Sequence, residues 1–368
     1  MNYQHPENEQ TYKGLSVNSG VDKAPIVSPY FRPRKRRMLT TNEYVEGILN
    51  GDRAMLSQAV TLVESRLPEH RAKAQEVIER CLPHAGKSVR IGITGVPGAG
   101  KSTSIDAFGM HVLESGHKLA VLAIDPSSER SKGSILGDKT RMERLSKAEE
   151  AFIRPSPSAG SLGGVARKTR ESIILCEAAG FDTIFVETVG VGQSEIAVHS
   201  MVDFFLLIQL AGTGDELQGI KRGIMEMADG IVINKADGDN VKPAELAAQH
   251  FRNALHLFPP SESGWTPEVL TYSGFYDLRI KEVWNMIDRY IDFVKQNGYF
   301  YRHRNEQTKY WMYESINEAL KNSFYTNPEI QAALPNVERA ILEDKMSSFV
   351  AANQLLKLFY NDIKLEDE

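Results

Sequence analysis

The short stretch GVPGAGKST, which begins at Gly95, has the glycine, lysine and hydroxyl spacing of a phosphate-binding loop. It matches the pattern G-x-x-x-x-G-K-[ST], in which backbone N–H groups surround phosphate oxygens, the lysine reaches the β- and γ-phosphates and the serine hydroxyl binds magnesium. An apolar run precedes the stretch and a helical pattern follows it, as the motif requires. The residues predicted to bind a nucleoside triphosphate here are Gly95, Val96, Pro97, Gly98, Ala99, Gly100, Lys101, Ser102 and Thr103.

Acidic residues at the ends of predicted strands are candidates for the magnesium side of this site. Glu187 ends an apolar strand, and Gly190 follows in the layout of a loop whose glycine N–H faces the γ-phosphate. Asp125 also ends a predicted strand, and Asp138 lies where a mobile switch loop is expected. Ligands gather at the carboxyl ends of parallel strands, although an isolated aspartate is more often a helix cap or turn residue. The predicted metal ligands are Ser102, Asp125, Asp138 and Glu187, and the predicted catalytic residues are Lys101, Glu187 and Gly190.

An Asn-Lys-Ala-Asp sequence after a late apolar strand indicates that the bound base is guanine. A carboxylate can accept two hydrogen bonds from the N1–H and 2-amino groups of guanine, and adenine lacks this pair of donors. Asp237 is therefore predicted to select GTP, while Asn234 and Lys235 brace the loop and cover the base. Farther along the chain, Ser273 and Gly274 are expected to supply backbone donors to the base. The predicted ligands are GTP or GDP with Mg²⁺.

The loop after Glu187 predicts slow hydrolysis. In Ras-like enzymes a glutamine follows the glycine of this loop and orients the attacking water. Val191 stands at that position here, Gln193 comes two residues later, and no arginine finger in cis can be assigned from the sequence. We therefore expect a GTPase that a partner or self-association accelerates. A nucleotide-gated binding module with negligible catalysis is the alternative of a different class.

Composition and charge indicate a soluble, globular protein without a nucleic-acid or membrane partner. The 368 residues are 42% hydrophobic and 25% charged, and the net charge of -5 provides no basic field for nucleic acid. No apolar run approaches the roughly 20 residues that span a bilayer, and the first residues lack the apolar core of a signal peptide. Cys81 and Cys176 are expected to be buried thiols in a reducing cytosol, so we predict a cytoplasmic location.

Short apolar runs alternate with helical patterns through the middle of the chain. Such runs are typical of parallel strands covered on both faces, so we predict an α/β P-loop NTPase fold with a doubly wound, mostly parallel sheet. The predicted strands are Val89–Thr94, Leu119–Ile124, Ala151–Ile153, Thr183–Val186, Phe204–Leu210, Gly230–Ile233 and Val269–Tyr272.

Helical patterns lie on both sides of this region. Asp52 is predicted to cap one N-terminal helix, and Pro68 to begin another that ends near Cys81. Beyond Ile280 the sequence predicts further helices, among them one at about 305–325 and one at roughly 335–361. An aromatic face containing Tyr310, Trp311 and Tyr313 suits either core packing or a dimer contact. The predicted domains are a flexible, partly basic tail at 1–38, a helical extension at 39–86, a P-loop GTPase domain at 87–278 and a C-terminal helical region at 279–368.

Several motifs together resemble the MeaB/ArgK/MMAA family of GTPases. They are DPSS at 125–128, ETVGVGQSE at 187–195, GDELQGIK at 214–221, NKAD at 234–237 and the helical GDRAMLSQAVTLVES at 51–65. The resemblance covers about residues 40–325. It implies a GTPase chaperone of adenosylcobalamin-dependent methylmalonyl-CoA mutase, or of a related acyl-CoA mutase, that gates cofactor loading and protects or reactivates the mutase. It also implies a homodimer formed through the C-terminal helices of 279–368.

The same resemblance assigns roles to individual residues. Lys101 and Ser102 take the phosphate-loop roles, and Asp125, Asp138 and Glu187 match the magnesium-side acids. Residues 212–221 match a further switch loop that couples the nucleotide state to the mutase, whereas the residues alone would favour an ordinary solvated turn. The predicted partner-coupling residues are Asp215, Glu216, Gln218 and Lys221.

Two other GTPase-like or ATPase-like functions fit the sequence less well. A nickel metallochaperone would share the fold, but it should carry a Cys/His cluster, and no Cys-x-x-Cys or His-x-His occurs in the chain. A transport-system kinase would use ATP, which offers Asp237 no matching pair of donors.

Overall fold

The computed structural model describes residues 39–65, 67–125, 141–157, 162–188, 194–212 and 222–361. The side chain of Asp125 lies outside the described part, although its backbone lies within it. Assignments that fall outside these ranges stay predictions. They concern the tail 1–38, Asp138, Gly190, Val191, Gln193, Asp215, Glu216, Gln218 and Lys221.

The strands that the structure describes form one seven-stranded sheet in the order β3-β2-β4-β1-β5-β6-β7. Every pair of neighbouring strands is parallel. This sheet confirms the predicted doubly wound α/β fold, and its apolar strands are covered on both faces. The strand bounds are β1 Val89–Gly95, β2 Leu119–Asp125, β3 Ala151–Pro157, β4 Thr183–Thr188, β5 Phe204–Leu210, β6 Gly230–Asn234 and β7 Glu268–Thr271.

Within the described residues, three α-helices precede the sheet, and their starts follow simple capping rules. The Asp52 side chain accepts hydrogen bonds from Ala54 N and Met55 N, as predicted for a helix cap. Pro68 occupies the first turn of the third helix, where its missing N–H costs nothing. Cys81 ends this helix and is a buried free thiol, as is Cys176, which confirms their predicted burial. The helices are α1 Thr41–Leu49, α2 Arg53–Glu64 and α3 Pro68–Cys81.

The helices between the strands, together with α10 after the last strand, cover the two faces of the sheet. Apolar side chains of β1 and β5, such as Ile93 and Leu206, face α4 and α10 in the main core, where Phe108 stacks on Tyr272 with ring centroids 5.3 Å apart. The opposite face of β5 packs against α7, where the Phe205 ring contacts His199 at 5.6 Å. These helices are α4 Lys101–Glu114, α5 Glu143–Lys147, α6 Leu162–Ala178, α7 Ser194–His199, α8 Arg222–Met227, α9 Val241–Leu255 and α10 Ile280–Gln296.

The C-terminal helices differ from the prediction at their boundaries. The helix expected at 305–325 already begins after Gly298, and the single helix expected at 335–361 is wrong, because two helices stand there. The chain turns at Asp344, whose φ is 55°, so that Ile330 and Leu355 pack in one small core. The chain breaks into two helices because their apolar faces are then buried against each other. The helical periodicity of the sequence does not indicate this break. The helices are α11 Tyr299–Thr326, α12 Pro328–Leu342 and α13 Ser348–Asn361. None of the described helices is long and apolar enough to cross a bilayer.

A buried ion pair attaches α11 to the amino-terminal ends of the central strands β1 and β5. Arg304 Nε donates to Asp203 Oδ1 at 2.7 Å, and its terminal nitrogens donate to Gly86 O at 2.7 Å and Ser88 O at 2.6 Å. Asp203 also accepts a hydrogen bond from Arg90 N at 2.8 Å, and its side chain is 1% exposed. The pair therefore joins the start of β1, the start of β5 and α11 in one arrangement.

We expect Arg304→Ala to lower the free energy of unfolding by about 3–5 kcal/mol, because it leaves the Asp203 carboxylate buried without its ion-pair partner. Urea denaturation measures this loss. The matched control is Arg289→Ala, which breaks an exposed pair with Glu268. That exposed pair contributes about 0–1 kcal/mol. Similar small losses in both variants would contradict the role given to Arg304.

Candidate nucleotide-binding site

The predicted site residues meet at the carboxyl ends of β1, β4 and β6. The phosphate loop follows β1, Glu187 is the second-last residue of β4, and Asn234 ends β6. Because β1 lies beside β4 and is one strand away from β6, the parallel order brings the three ends to the same edge. In open α/β sheets this is the edge at which ligands bind.

Two glycines of the phosphate loop are required by close contacts. A Cβ on Gly95 would lie 2.2 Å from Ile208 O, so β1 can pass β5 at this point only with glycine. Gly100 has a φ of 86°, and a Cβ there would lie 2.6 Å from the Asn234 amide nitrogen. The loop then turns directly into α4 at Lys101, so that helix N–H groups face the space above the loop.

Lys101 is held inside the phosphate loop. Its Nζ donates to Gly95 O at 2.8 Å and to Val96 O at 3.3 Å. Burial lowers the pKa of Lys101, and the carboxylates of Glu187 and Glu195 partly offset this effect. The ammonium is thus positioned where the loop would surround a phosphate, with carbonyl acceptors that an anion can replace.

The predicted magnesium ligands Ser102 and Glu187 lie together. Ser102 Oγ donates to Glu187 Oε1 at 3.3 Å, and Glu187 is 5% exposed. A hydroxyl and a carboxylate oxygen are hard ligands of the kind that Mg²⁺ prefers, so these residues fit the ion. Within the described ranges no group of three or more His, Cys, Asp or Glu side chains could hold a metal. The assignments of Asp125 and Asp138 stay predictions.

Asn234 joins the phosphate loop to the loops that would bind the base. Its side chain is almost fully buried; Nδ2 donates to Ala99 O at 2.7 Å, and Oδ1 accepts from Lys235 N at 2.7 Å and from Gly274 N at 3.0 Å. One amide therefore ties three segments together. Asn240 adds a further brace by donating to Lys235 O at 2.7 Å.

Asp237 is oriented by a serine rather than by backbone groups. Ser273 Oγ donates to Asp237 Oδ2 at 2.7 Å. The backbone N–H of Ser273 donates to Leu278 O at 3.1 Å, and that of Gly274 donates to Asn234. This differs from the prediction that Ser273 and Gly274 offer their N–H groups to the base, since both groups already have acceptors within the protein. Because a carboxylate oxygen can accept more than one hydrogen bond, the Ser273 bond still leaves acceptor positions on both oxygens of Asp237.

Other residues of the site carry no signal in the sequence. Ser104 Oγ donates to Gly100 O at 2.9 Å and shares a hydrogen bond of 2.5 Å with the buried Tyr272 hydroxyl, which joins α4 to the segment after β7. Arg144 bridges Asp106 of α4, at 2.6 Å, and Asp277 of the 273–278 turn, at 2.7 Å. A serine, a tyrosine and an arginine at irregular spacing resemble no motif, and only the fold brings them together.

The helix α7, which follows residues 189–193, is attached to α11. Gln307 Nε2 donates to Val202 O at 2.7 Å, and Trp311 Nε1 donates to Ser200 O at 3.0 Å. Of the aromatic residues considered above, Trp311 is therefore a core residue, whereas Tyr310 and Tyr313 are 42% and 60% exposed. Core packing thus accounts for Trp311 but not for Tyr310 and Tyr313, and the dimer contact stays a prediction.

Comparison with known proteins identifies similar chains that cover most of this one. A model of the family described as "Methylmalonyl Co-A mutase-associated GTPase MeaB" matches residues 56–329. A putative GTPase of Caulobacter vibrioides is 52% identical over 85% of this chain and 95% of its own length. The mouse protein named methylmalonic aciduria type A homolog, mitochondrial, is 46% identical over 85% of this chain and 78% of its own length.

A solved structure has the same overall fold. The crystal structure titled LAO/AO transport system kinase superposes with a TM-score of 0.70 at 38% sequence identity. The match covers 86% of this chain and 97% of the other.

Proposed function

Because the chain belongs to the family of methylmalonyl-CoA mutase-associated GTPases, we propose that it is a GTPase chaperone of an adenosylcobalamin-dependent acyl-CoA mutase. In this proposal it gates cofactor loading and protects or reactivates the mutase, and methylmalonyl-CoA mutase is the first candidate. The observation that carries the nucleotide assignment is Asp237, held by Ser273 at the edge of a loop that Asn234 ties to the phosphate loop.

The residues of the site have distinct roles in GTP hydrolysis. Lys101 exchanges the carbonyls of Gly95 and Val96 for phosphate oxygens and stabilises the charge that develops on them. Ser102 and Glu187 are the residues that would hold Mg²⁺, and Asp125 and Asp138 are proposed to join them. When bound, Mg²⁺ neutralises charge on the β- and γ-phosphates.

The contacts of α7 support a route from the nucleotide to the C-terminal helices. Since Gln307 and Trp311 bind the backbone directly after α7, a movement of α7 would move α11 with it. Beyond these contacts α11 exposes large apolar side chains, which we assign to a homodimer contact: Tyr310, Met312, Tyr313, Ile316 and Leu320. The coupling role of Asp215, Glu216, Gln218 and Lys221 is part of the same proposal.

The test is GTP turnover by the pure protein at fixed Mg²⁺, alone and with an adenosylcobalamin-dependent acyl-CoA mutase, with ATP as the control nucleotide. We expect a slow, GTP-specific rate that rises when methylmalonyl-CoA mutase is added. Transfer of adenosylcobalamin to the apo-mutase, followed by its absorbance, should then depend on whether GTP or GDP is bound. A GTP-specific rate that no mutase changes would contradict the chaperone role while leaving the GTPase assignment intact.

Two other functions make different predictions in the same experiment. A transport kinase of the kind named in the similar solved structure would prefer ATP, which the Asp237 carboxylate disfavours. A nucleotide-gated binding module would bind GTP with no turnover above background even when the mutase is present.

A further inference from the structure

Gln209 is a buried amide side chain in an otherwise apolar strand. It lies near the end of β5, is 0% exposed, and neither its Nε2 nor its Oε1 has a hydrogen-bond partner within the described part of the chain. Leaving a buried donor or acceptor unsatisfied destabilises the folded state, and an apolar side chain of similar shape would avoid that cost. Such a group in a folded protein therefore calls for a reason.

The strand register places Gln209 behind the phosphate loop. Gly95 of β1 pairs with Ile208, so Gln209 lies level with the first residue after β1. Ile208 belongs to the core that faces α4, and side chains alternate along a strand, so Gln209 points to the opposite face. Phe205 lies on that same face, where it contacts His199 of α7.

Other buried polar side chains lie on this face at the same edge of the sheet. Thr188 donates to Thr94 at 2.8 Å between β4 and β1, and both are 0% exposed. Glu195, in the first turn of α7, is 1% exposed. α7 begins shortly after the end of β4, and its last residue lies beside the start of β5, so its first turn lies toward the strand ends, where Gln209 lies. We call Thr94, Thr188, Glu195 and Gln209 the polar layer.

The polar layer contains a carboxylate that influences the lysine expected to bind the γ-phosphate. Glu195 is one of two carboxylates whose charge acts on the Lys101 ammonium. If Glu195 moved onto Lys101, its carboxylate would compete with phosphate oxygens for the same cation. An uncharged amide NH₂ that donated to Glu195 would hold that carboxylate in place without adding charge.

We propose that Gln209 is a positioning residue for GTP hydrolysis, whose amide NH₂ donates to the Glu195 carboxylate when GTP occupies the phosphate loop. The bond keeps Glu195 at a fixed distance from Lys101, so that the lysine stays on the phosphate as charge develops there. The inference rests on GTP binding at the proposed site. It predicts an effect on turnover rather than on nucleotide affinity, because the bond matters most at the transition state.

The test is Gln209→Met, which keeps the length of the side chain and removes its hydrogen-bonding groups. We expect an unfolding midpoint equal to or above that of the wild type, a GTP Kd within about threefold, and a single-turnover rate lowered about tenfold or more. The matched control is Leu207→Met, a fully buried position on the same strand and face, which should leave all three values unchanged. Gln209→Leu serves as a second variant in case Gln209→Met does not fold.

The rate, the affinity and the unfolding midpoint together decide the role of Gln209. A Gln209→Met rate within twofold of that of Leu207→Met would overturn the inference, and so would a lower unfolding midpoint with a parallel loss of affinity, which would make the amide structural. If the wild-type protein itself bound no GTP, the proposed function would fail first. Normal wild-type turnover with a normal variant rate would reject only the role of Gln209.

Discussion

Lys101→Ala is expected to weaken GTP binding at least about 100-fold, and to abolish turnover at micromolar nucleotide. Hydrogen bonds to Gly95 O and Val96 O already hold the Lys101 ammonium inside the phosphate loop. A bound phosphate would therefore be stabilised by this positive charge with little rearrangement of the lysine. Alanine removes that charge and leaves the loop backbone as the main source of binding. Titration of the protein with a fluorescent GTP analogue measures the loss, and radiolabelled phosphate release measures turnover.

A surface lysine provides the control for this prediction. Lys147→Ala removes a charge of the same kind from an exposed position, where the lysine pairs with Glu143 four residues away. We expect unchanged GTP affinity in that variant and a free energy of unfolding within about 0.5 kcal/mol of the wild type. A Lys101→Ala protein that bound GTP within threefold of Lys147→Ala would remove Lys101 from the phosphate site.

The strands and the phosphate site were predictable because they depend on local patterns. Parallel strands covered on both faces are continuous apolar runs, so the sequence predicts the bounds of β5, Phe204–Leu210, correctly. The glycines and Lys101 satisfy a spacing rule that reflects backbone geometry around phosphate. Asp52 likewise caps its helix through a contact of two to three residues, which sequence alone contains.

The features that prediction missed depend on contacts between distant segments. The break between α12 and α13 follows from packing Ile330 against Leu355, which no periodicity within one segment reveals. Ser273 reaches Asp237 across 36 positions of the chain. Gln209 was hidden because a single amide in an apolar strand does not alter the strand pattern, and only its burial sets it apart.

Asp237→Asn is expected to reverse the base preference of the protein. An amide presents one oxygen and one NH₂ where the carboxylate presents two acceptors, so it cannot accept both guanine donors. We expect GTP affinity to fall at least about 100-fold. Xanthosine triphosphate, which carries a carbonyl in place of the 2-amino group, should bind the variant better than GTP does. Competition against a fluorescent nucleotide measures both affinities in one series.

Ser273→Ala separates recognition by Asp237 from the orientation of that residue. Removing the hydroxyl breaks its 2.7 Å bond to Asp237 Oδ2 but leaves both acceptors in place, so GTP should remain preferred over xanthosine triphosphate, with affinity lowered about three- to tenfold. The two variants thus differ in the sign of base preference and not merely in the size of the loss. If Asp237→Asn kept wild-type affinity for GTP, the carboxylate would not contact guanine. The next measurement would then be whether the wild-type protein prefers ATP.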